Sequence, residues 1–149
     1  MNNSSLLNDD YFMRQAILEA RYALGKDEVP IGAVIVWQNR IIARAHNLTE
    51  ALTDVTAHAE MQAITAAANV LGGKYLQDCI LYVTVEPCPM CAGALGWSQI
   101  SKIVYGAKDP KRGYSGAAPK VLHPKTIVIE GILQQECASL IQDFFKSKR

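Results

Sequence analysis

The chain has 149 residues, 50% apolar content and a formal net charge of +1, which suit one domain with one hydrophobic core. No run of about eighteen uncharged apolar residues occurs, and the first eight residues lack the basic and apolar regions of a signal peptide. These features argue against a membrane-spanning segment and an export signal. We therefore expect a cytoplasmic domain over residues 9–149 that follows a disordered tail at residues 1–8.

The charge distribution bears on possible binding partners, and the cysteine distribution bears on metal binding and disulfides. Residues 1–101 carry 6 Lys/Arg and 10 Asp/Glu, whereas residues 102–149 carry 9 and 4. A polyanionic partner would therefore meet the C-terminal third, although ordinary surface charge explains the asymmetry equally well. Two of the four cysteines form a Cys-x-x-Cys, which in a reducing compartment indicates thiolate chemistry or metal binding rather than disulfides.

Hydrophobic periodicity and turn residues predict nine elements. In chain order they are helix 9–24, strands 31–37 and 41–45, helix 58–71, strand 80–85, helix 88–98, strands 102–105 and 126–130, and helix 133–146. Asp9 or Asp10 is expected to cap the first helix, while Gly25 and Gly72 should follow the ends of the first two helices. Residues 106–124 are expected to form a loop. This order predicts an α/β protein with helices on both faces of one sheet.

A Pro-Cys-Pro-Met-Cys run at residues 87–91 supplies the first part of a candidate metal site. Cys88 and Cys91 are three residues apart, so at the first turn of a helix both project beyond its N-terminus. Pro87 and Pro89 are tolerated there because the first N–H groups of a helix have no partner within it. A helix N-terminus also favours the thiolate that zinc binds.

The His58-Ala59-Glu60 run supplies the second part. His58 and Glu60 lie about 200° apart around a helix, so they can serve one site only at its first turn, with Thr56 or Asp54 as the N-cap. One imidazole and two thiolates would then hold zinc and leave its fourth position to water, as in catalytic zinc sites. Glu60 would act as the general base.

These parts suit the hydrolytic removal of an exocyclic amine from a purine or pyrimidine. Zinc lowers the pKa of water to about 7, and Glu60 can take its proton and return it to a ring nitrogen and to the leaving ammonia. A structural zinc would need a fourth ligand instead. The candidates for that ligand are His46, His123, Cys79 and Cys137, of which the two cysteines are better explained as packing thiols.

The two motifs resemble the signature of the cytidine deaminase superfamily and, more narrowly, that of the bacterial tRNA adenosine deaminases. The likeness is carried by residues 28–34, 56–60, 81–94, 130–133 and 143–145. It implies the cytidine deaminase-like fold, a three-layer α/β/α sandwich with a mixed five-stranded sheet. It also implies one zinc ion per subunit, a homodimer, and conversion of adenosine to inosine at wobble position 34 in the anticodon stem-loop of tRNA.

The same resemblance implies a set of substrate contacts. They are Asn47 at the base or ribose, Ile31 and Gly32 in the base pocket, Asp109 and Lys111 on the loop that meets the anticodon, and Glu86 and Phe145. From the residues alone, Asn47 could equally cap its own backbone. Phe144 should belong to the core and Phe145 should be exposed, which favours a stacking role for Phe145. Tyr114 is open between base stacking and anchoring its loop.

Other features favour related enzymes of the same fold. Pro89 and Trp97 also resemble guanine deaminases, and residues 115–126 are short for a tRNA deaminase. Guanine deaminase and cytidine or deoxycytidylate deaminase are therefore alternatives, and a zinc-stabilised RNA-binding module is the alternative outside enzymes. The C-terminal segment and its positive charge favour tRNA.

Overall fold

The computed structural model describes residues 8–149, so residues 1–7 of the predicted tail lie outside the described part. The elements are α1 at Asp9–Gly25, β1 at Gly32–Trp37, β2 at Arg40–His46, α2 at Ala59–Leu71, β3 at Cys79–Val85, α3 at Pro89–Ser98, β4 at Lys102–Ala107, α4 at Tyr114–Ala117, β5 at Ile127–Glu130 and α5 at Gln134–Ser147. The predicted element order is confirmed. The single turn α4 is an addition within residues 106–124, which were expected to be entirely loop, and the first two of those residues belong to β4.

The five strands form one mixed sheet in the order β2-β1-β3-β4-β5. β1 runs antiparallel to β2 and β3, whereas β3, β4 and β5 are parallel. Side chains of β1 alternate between two core layers: Ala33 and Ile35 pack with α2 and α3, and Val34 and Val36 pack with α1 and α5. The predicted three-layer α/β/α sandwich is therefore confirmed.

Local turn chemistry accounts for two predicted boundaries. Gln38 and Asn39 join β1 to β2 with φ values of 51° and 61°, and two successive positive φ angles are the mark of a two-residue type I′ hairpin. Gly72 follows α2 in the left-handed region with φ 71°, where glycine is favoured. Both the hairpin and the end of α2 are thus confirmed.

Both predicted capping residues of α1 are wrong. The N-cap is Asn8, whose side chain accepts a main-chain N–H of the first turn, while Asp9 and Asp10 lie inside the helix. Gly25 is the last helical residue, and the left-handed backbone comes two residues later at Asp27, with φ 61°. Three short polar side chains in a row can each act as an N-cap, so the sequence left this boundary ambiguous.

At Gly32 the helix α1 lies directly against the sheet, because an added Cβ would overlap the carbonyl oxygen of Ala16 and the nitrogen of Ala20. We expect Gly32→Ala to lower the free energy of unfolding by about 3 kcal/mol, since overpacking forces the backbone to shift. Gly25→Ala is the matched control: nothing lies within 4 Å of its Cβ position, so alanine should stabilise the helix by about 0.5–1 kcal/mol. Urea unfolding measures both changes, and an unaltered midpoint for Gly32→Ala would contradict this packing.

Candidate metal centre and active site

Two helices begin at the metal site, and the N-cap residue of each helix is a candidate ligand. His58 is the N-cap of α2 and Cys88 that of α3, with extended φ/ψ of −70°/156° and −72°/168°. An N-cap side chain usually accepts a main-chain N–H of its helix, but the His58 side chain does not do so. The predicted cap of α2 at Thr56 or Asp54 is wrong, because Asp54 instead accepts the N–H and hydroxyl of Thr56 in the preceding turn.

His58, Cys88 and Cys91 come together as the sequence predicted. Nδ1 of His58 lies 3.6 Å from Sγ of Cys88 and 3.5 Å from Sγ of Cys91, and all three ligand atoms lie within 4.8 Å of one another. In a tetrahedral site with Zn–N near 2.0 Å and Zn–S near 2.3 Å, nitrogen and sulfur are about 3.5 Å apart. The donor set and its spacing therefore fit zinc.

The two thiols have opposite pKa shifts. The neighbouring Cys91 thiol lowers the pKa of Cys88 to about 5, and the main chain of the first turn and His58 add to this effect against burial. The interaction with Cys88, followed by burial and the nearby Glu60, raises the pKa of Cys91. Binding of a cation by both thiolates therefore releases the proton of Cys91, which makes metal affinity pH-dependent.

Glu60 lies in the first turn of α2, two residues after His58, and only 4% of it is exposed. Burial raises the pKa of its carboxyl to about 7, and the negative charge of Cys88 contributes in the same direction. A carboxyl group that titrates near neutrality can both accept and release a proton. Glu60, the predicted general base, therefore lies beside the three candidate ligands, and its raised pKa suits proton transfer.

The residues considered as a fourth ligand lie elsewhere. His46 contacts Glu19 of α1 through Nδ1 at 3.0 Å, and Nδ1 of His123 accepts an N–H of its own turn. Cys79 and Cys137 are fully buried, and burial raises the pKa of both thiols, as expected of packing residues. Within residues 8–149 the ligand group has three members, which is the donor number of catalytic zinc sites.

Comparison with known proteins agrees with this geometry. The Cytidine and deoxycytidylate deaminase zinc-binding region matches residues 7–107. The chain belongs to this family of deaminases. The tRNA-specific adenosine deaminase of Bacillus subtilis (strain 168) is 46% identical, with 97% of this chain and 92% of the relative covered.

Solved structures show the same relationship. A chain from biochemical and structural studies of A-to-I editing by tRNA:A34 deaminases at the wobble position of transfer RNA is 44% identical with a TM-score of 0.82, covering 87% of this chain and 98% of that one. The guanine deaminase of Bacillus subtilis is 37% identical with a TM-score of 0.63, covering 83% and 72%. The nearer match is thus to the tRNA:A34 deaminase.

Several sequence predictions are confirmed by these findings. The protein is a zinc-dependent deaminase of the cytidine deaminase-like fold, and one zinc ion is its cofactor. Its resemblance to bacterial tRNA adenosine deaminases extends over most of the chain in several relatives. This membership favours an enzyme over the RNA-binding module without catalysis.

Asn47 and the two predicted pocket residues lie where β1 and β2 meet the loop before α2. Asn47 is buried; its N–H donates to the carbonyl of Ile31 at 3.1 Å, and its Oδ1 accepts the N–H of Thr49 at 3.4 Å. Ile31 packs against the core layer of α2 and α3, whereas Gly32 faces α1. Asn47 therefore does bond to its own turn, and its contact with the base stays a prediction.

The predicted anticodon-facing residues lie on the chain after β4. Oδ1 of Asp109 accepts the N–H groups of Lys111 at 3.1 Å and Arg112 at 3.0 Å, and the side chain of Lys111 is exposed. Tyr114 is buried, and its N–H donates to the carbonyl of Pro87 at 2.9 Å, which supports the anchoring role. The RNA contacts of Asp109 and Lys111 stay predictions.

The two aromatic residues near the end of α5 are placed as expected. Phe144 is buried, while 45% of Phe145 is exposed, and their rings meet edge-on with centroids 5.4 Å apart. α5 packs on the sheet face opposite to α2 and α3, although Phe144 lines a surface hollow together with Thr49 and Glu50. The end of α5 is therefore next to the loop that follows Asn47.

Sequence reasoning missed Gln62 of α2. Its side-chain amide donates to the carbonyl oxygens of His46 at 2.8 Å and Ala57 at 3.2 Å. This amide joins the end of β2, next to Asn47, to the residue that precedes His58. A polar residue on an amphipathic helix is ordinary, so no sequence signal marked it.

Glu28 was also missed as a positioning residue. It is 1% exposed, and its carboxylate accepts the N–H groups of Glu50 at 3.0 Å and Ala51 at 2.7 Å. It thereby holds the loop that follows Asn47. A charged residue at the start of an otherwise apolar run, residues 28–36, is the signal that could have found it, because a buried carboxylate requires hydrogen-bond donors.

Proposed function

We propose that the protein deaminates adenosine to inosine at wobble position 34 of tRNA. The observation that carries this proposal is the 46% identity to a tRNA-specific adenosine deaminase over nearly the whole chain. The convergence of His58, Cys88 and Cys91 beside Glu60 supports the chemistry, because three ligands and a buried carboxyl are the parts that hydrolytic deamination needs.

In this reaction His58, Cys88 and Cys91 hold zinc and Glu60 moves protons. Zinc, when bound, supplies a nucleophile at neutral pH by lowering the pKa of water. Glu60 takes one proton from the attacking water and gives it to a ring nitrogen, and then takes the second proton, from the hydroxyl that the attack leaves on the carbon, and gives it to the departing amine. The net reaction consumes one water and releases one ammonia. The burial of Glu60, which raises its pKa to about 7, suits both proton transfers.

The anticodon stem-loop suits this site because its adenosine is already unpaired, so the cost of extruding the base is low. The proposed contacts are Asn47 at the base or ribose, Ile31 and Gly32 in the base pocket, Asp109 and Lys111 on the loop that meets the anticodon, and Phe145 as an aromatic platform for bound RNA. The exposed side chains of Lys108, Lys111 and Arg112 support a polyanionic substrate at this edge.

A side-by-side assay of zinc-loaded protein tests the proposal. The substrates are an anticodon stem-loop with adenosine at the wobble position, free guanine and cytidine, and the products scored are inosine, xanthine and uridine. We expect kcat/KM for the stem-loop to exceed the other two by about 100-fold or more. A stem-loop with the adenosine moved one position controls for site selection. Xanthine as the main product would favour the guanine deaminase alternative, and uridine the cytidine alternative.

We further propose that the protein works in the cytoplasm as a homodimer. Within residues 8–149 no helix has the length and apolar character needed to cross a bilayer. The resemblance to tRNA deaminases supports the dimer. So does Trp97 at the end of α3, which is 85% exposed, because tryptophan is enriched in protein–protein interfaces.

A further inference from the structure

Glu86 is a buried carboxylate that the proposed reaction does not use. It follows β3 directly, two residues before Cys88, and is 3% exposed. Burying a carboxylate is costly unless its oxygens are hydrogen-bonded. Oε1 accepts the N–H of Asp109 at 3.1 Å, and Oε2 accepts the N–H and the hydroxyl of Ser115 at 3.1 Å and 2.6 Å. Both oxygens are therefore occupied by one segment of chain.

That segment, residues 108–115, is called the basic loop below. Within the described residues no Lys, Arg or His forms an ion pair with Glu86, so the loop's own main chain and Ser115 provide the hydrogen bonds identified at its carboxylate. The donors come from near the two ends of the basic loop. The Glu86 carboxylate is therefore hydrogen-bonded to residues near both ends of the basic loop and holds these two ends in place.

Gly113 closes the basic loop over this carboxylate. An added Cβ would overlap the carboxyl group of Glu86, whereas the φ of −64° is one that any residue adopts. Glycine is thus needed here for space and not for backbone conformation. The next residue, Tyr114, donates its N–H to the carbonyl of Pro87, so the basic loop is also tied to the chain that leads to Cys88.

The side chains that the basic loop presents are cationic. Lys108, Lys111 and Arg112 are exposed, and within residues 8–149 none of them forms an ion pair. Asp109 folds the tip by accepting the N–H groups of Lys111 and Arg112. The basic loop therefore holds three cationic side chains on a short segment with internal hydrogen bonds. This segment follows β4, the strand next to β3, and the chain after β3 leads to the ligand Cys88.

We propose that Glu86 is a positioning residue that holds the basic loop in one arrangement for a polyanionic substrate and does not touch that substrate itself. Fixing the loop before binding reduces the conformational entropy lost when the RNA docks, so its effect falls on substrate affinity. The identity of the substrate as RNA rests on the proposed function. The attachment of the basic loop to Glu86 does not depend on the proposed function.

Tryptic cleavage of the native, zinc-loaded protein tests the attachment without any substrate. Trypsin cuts after Lys111 and Arg112 when the basic loop opens, and the rate follows the open population. We expect Glu86→Gln to raise this rate by about tenfold, because the amide replaces one of the two acceptor oxygens with an NH2 donor, which cannot accept the N–H groups of the loop. Gly113→Ala should raise it similarly. Ser115→Ala, which removes one hydroxyl, should raise it by about threefold and keeps the test valid if a stronger variant fails to fold.

Gly116→Ala is the matched control, because Gly116 directly follows the basic loop and nothing lies within 4 Å of its Cβ position. It should be cut at the wild-type rate. Zinc content and the thermal midpoint of each variant show whether the rest of the molecule is intact. Wild-type cleavage rates in Glu86→Gln, Gly113→Ala and Ser115→Ala alike would overturn the proposal.

Steady-state kinetics on the anticodon stem-loop then separate positioning from general damage. We expect Glu86→Gln to raise KM by about tenfold while kcat changes by less than about threefold, and to reduce the salt dependence of KM. A loss of correctly folded protein would instead lower kcat at unchanged KM and would overturn the positioning role. If the wild-type protein does not deaminate the stem-loop, the proposed function fails, while the cleavage experiment still decides whether Glu86 holds the loop.

Discussion

Glu60→Gln should lower turnover by about 10³-fold or more while the protein keeps one zinc ion and its affinity for RNA. The amide is close in shape to the carboxyl but cannot take a proton from water at neutral pH, and general acid–base catalysis contributes about 10²–10⁴-fold. Glu60 is buried in the first turn of α2 beside the three ligands, so no solvent molecule easily replaces it. Single-turnover deamination, metal analysis and RNA binding measure the three quantities.

Glu50→Gln makes the same chemical change at an exposed position of the neighbouring loop and serves as the control. The hydrogen bond to Glu28 uses the main-chain N–H of Glu50, so its side chain can change without disturbing that contact. We expect turnover within about twofold of wild type, as for most surface substitutions. Retention of a tenth or more of wild-type turnover by Glu60→Gln would remove Glu60 from the proton transfers.

Cys91→Ala should abolish zinc binding, and with it deamination. It leaves one imidazole and one thiolate, which is too few to hold zinc against solvent at ordinary concentrations. Metal binding also contributes to folding, because the complete ligand set exists in the folded state alone. We therefore expect a thermal midpoint lower by about 10 °C than that of the zinc-loaded wild type. Metal analysis after dialysis and a thermal melt measure both effects.

Cys79→Ala is the control for the loss of a buried thiol. Cys79 is as fully buried as Cys91 but lies at the start of β3, away from the ligand group. Burial raises the pKa of its thiol, so it does not offer a thiolate. We expect one zinc ion, turnover within about twofold of wild type, and a stability loss of about 1 kcal/mol for the lost packing. Stoichiometric zinc in Cys91→Ala would exclude Cys91 as a ligand.

The sequence by itself determined the order of elements, the α/β class and the zinc donor set. Periodicity and turn residues are local properties, so the hairpin at Gln38 and Asn39 and the end of α2 at Gly72 follow from a few neighbouring residues. The Cys-x-x-Cys at a helix start likewise constrains its own geometry, and His58 needed one further assumption, that it lies at the start of α2.

Only the tertiary structure decided which residues that are far apart along the chain contact one another. The cap of α2 is the ligand His58 itself, because the side chain meets two thiols that are thirty or more residues away along the chain. The resemblance implied a substrate contact for Glu86, and the structure adds that the hydrogen bonds to its carboxylate come from the basic loop after β4. Such contacts arise when β3 and β4 pair in parallel, and local patterns carry no information about which loop then covers which carboxylate.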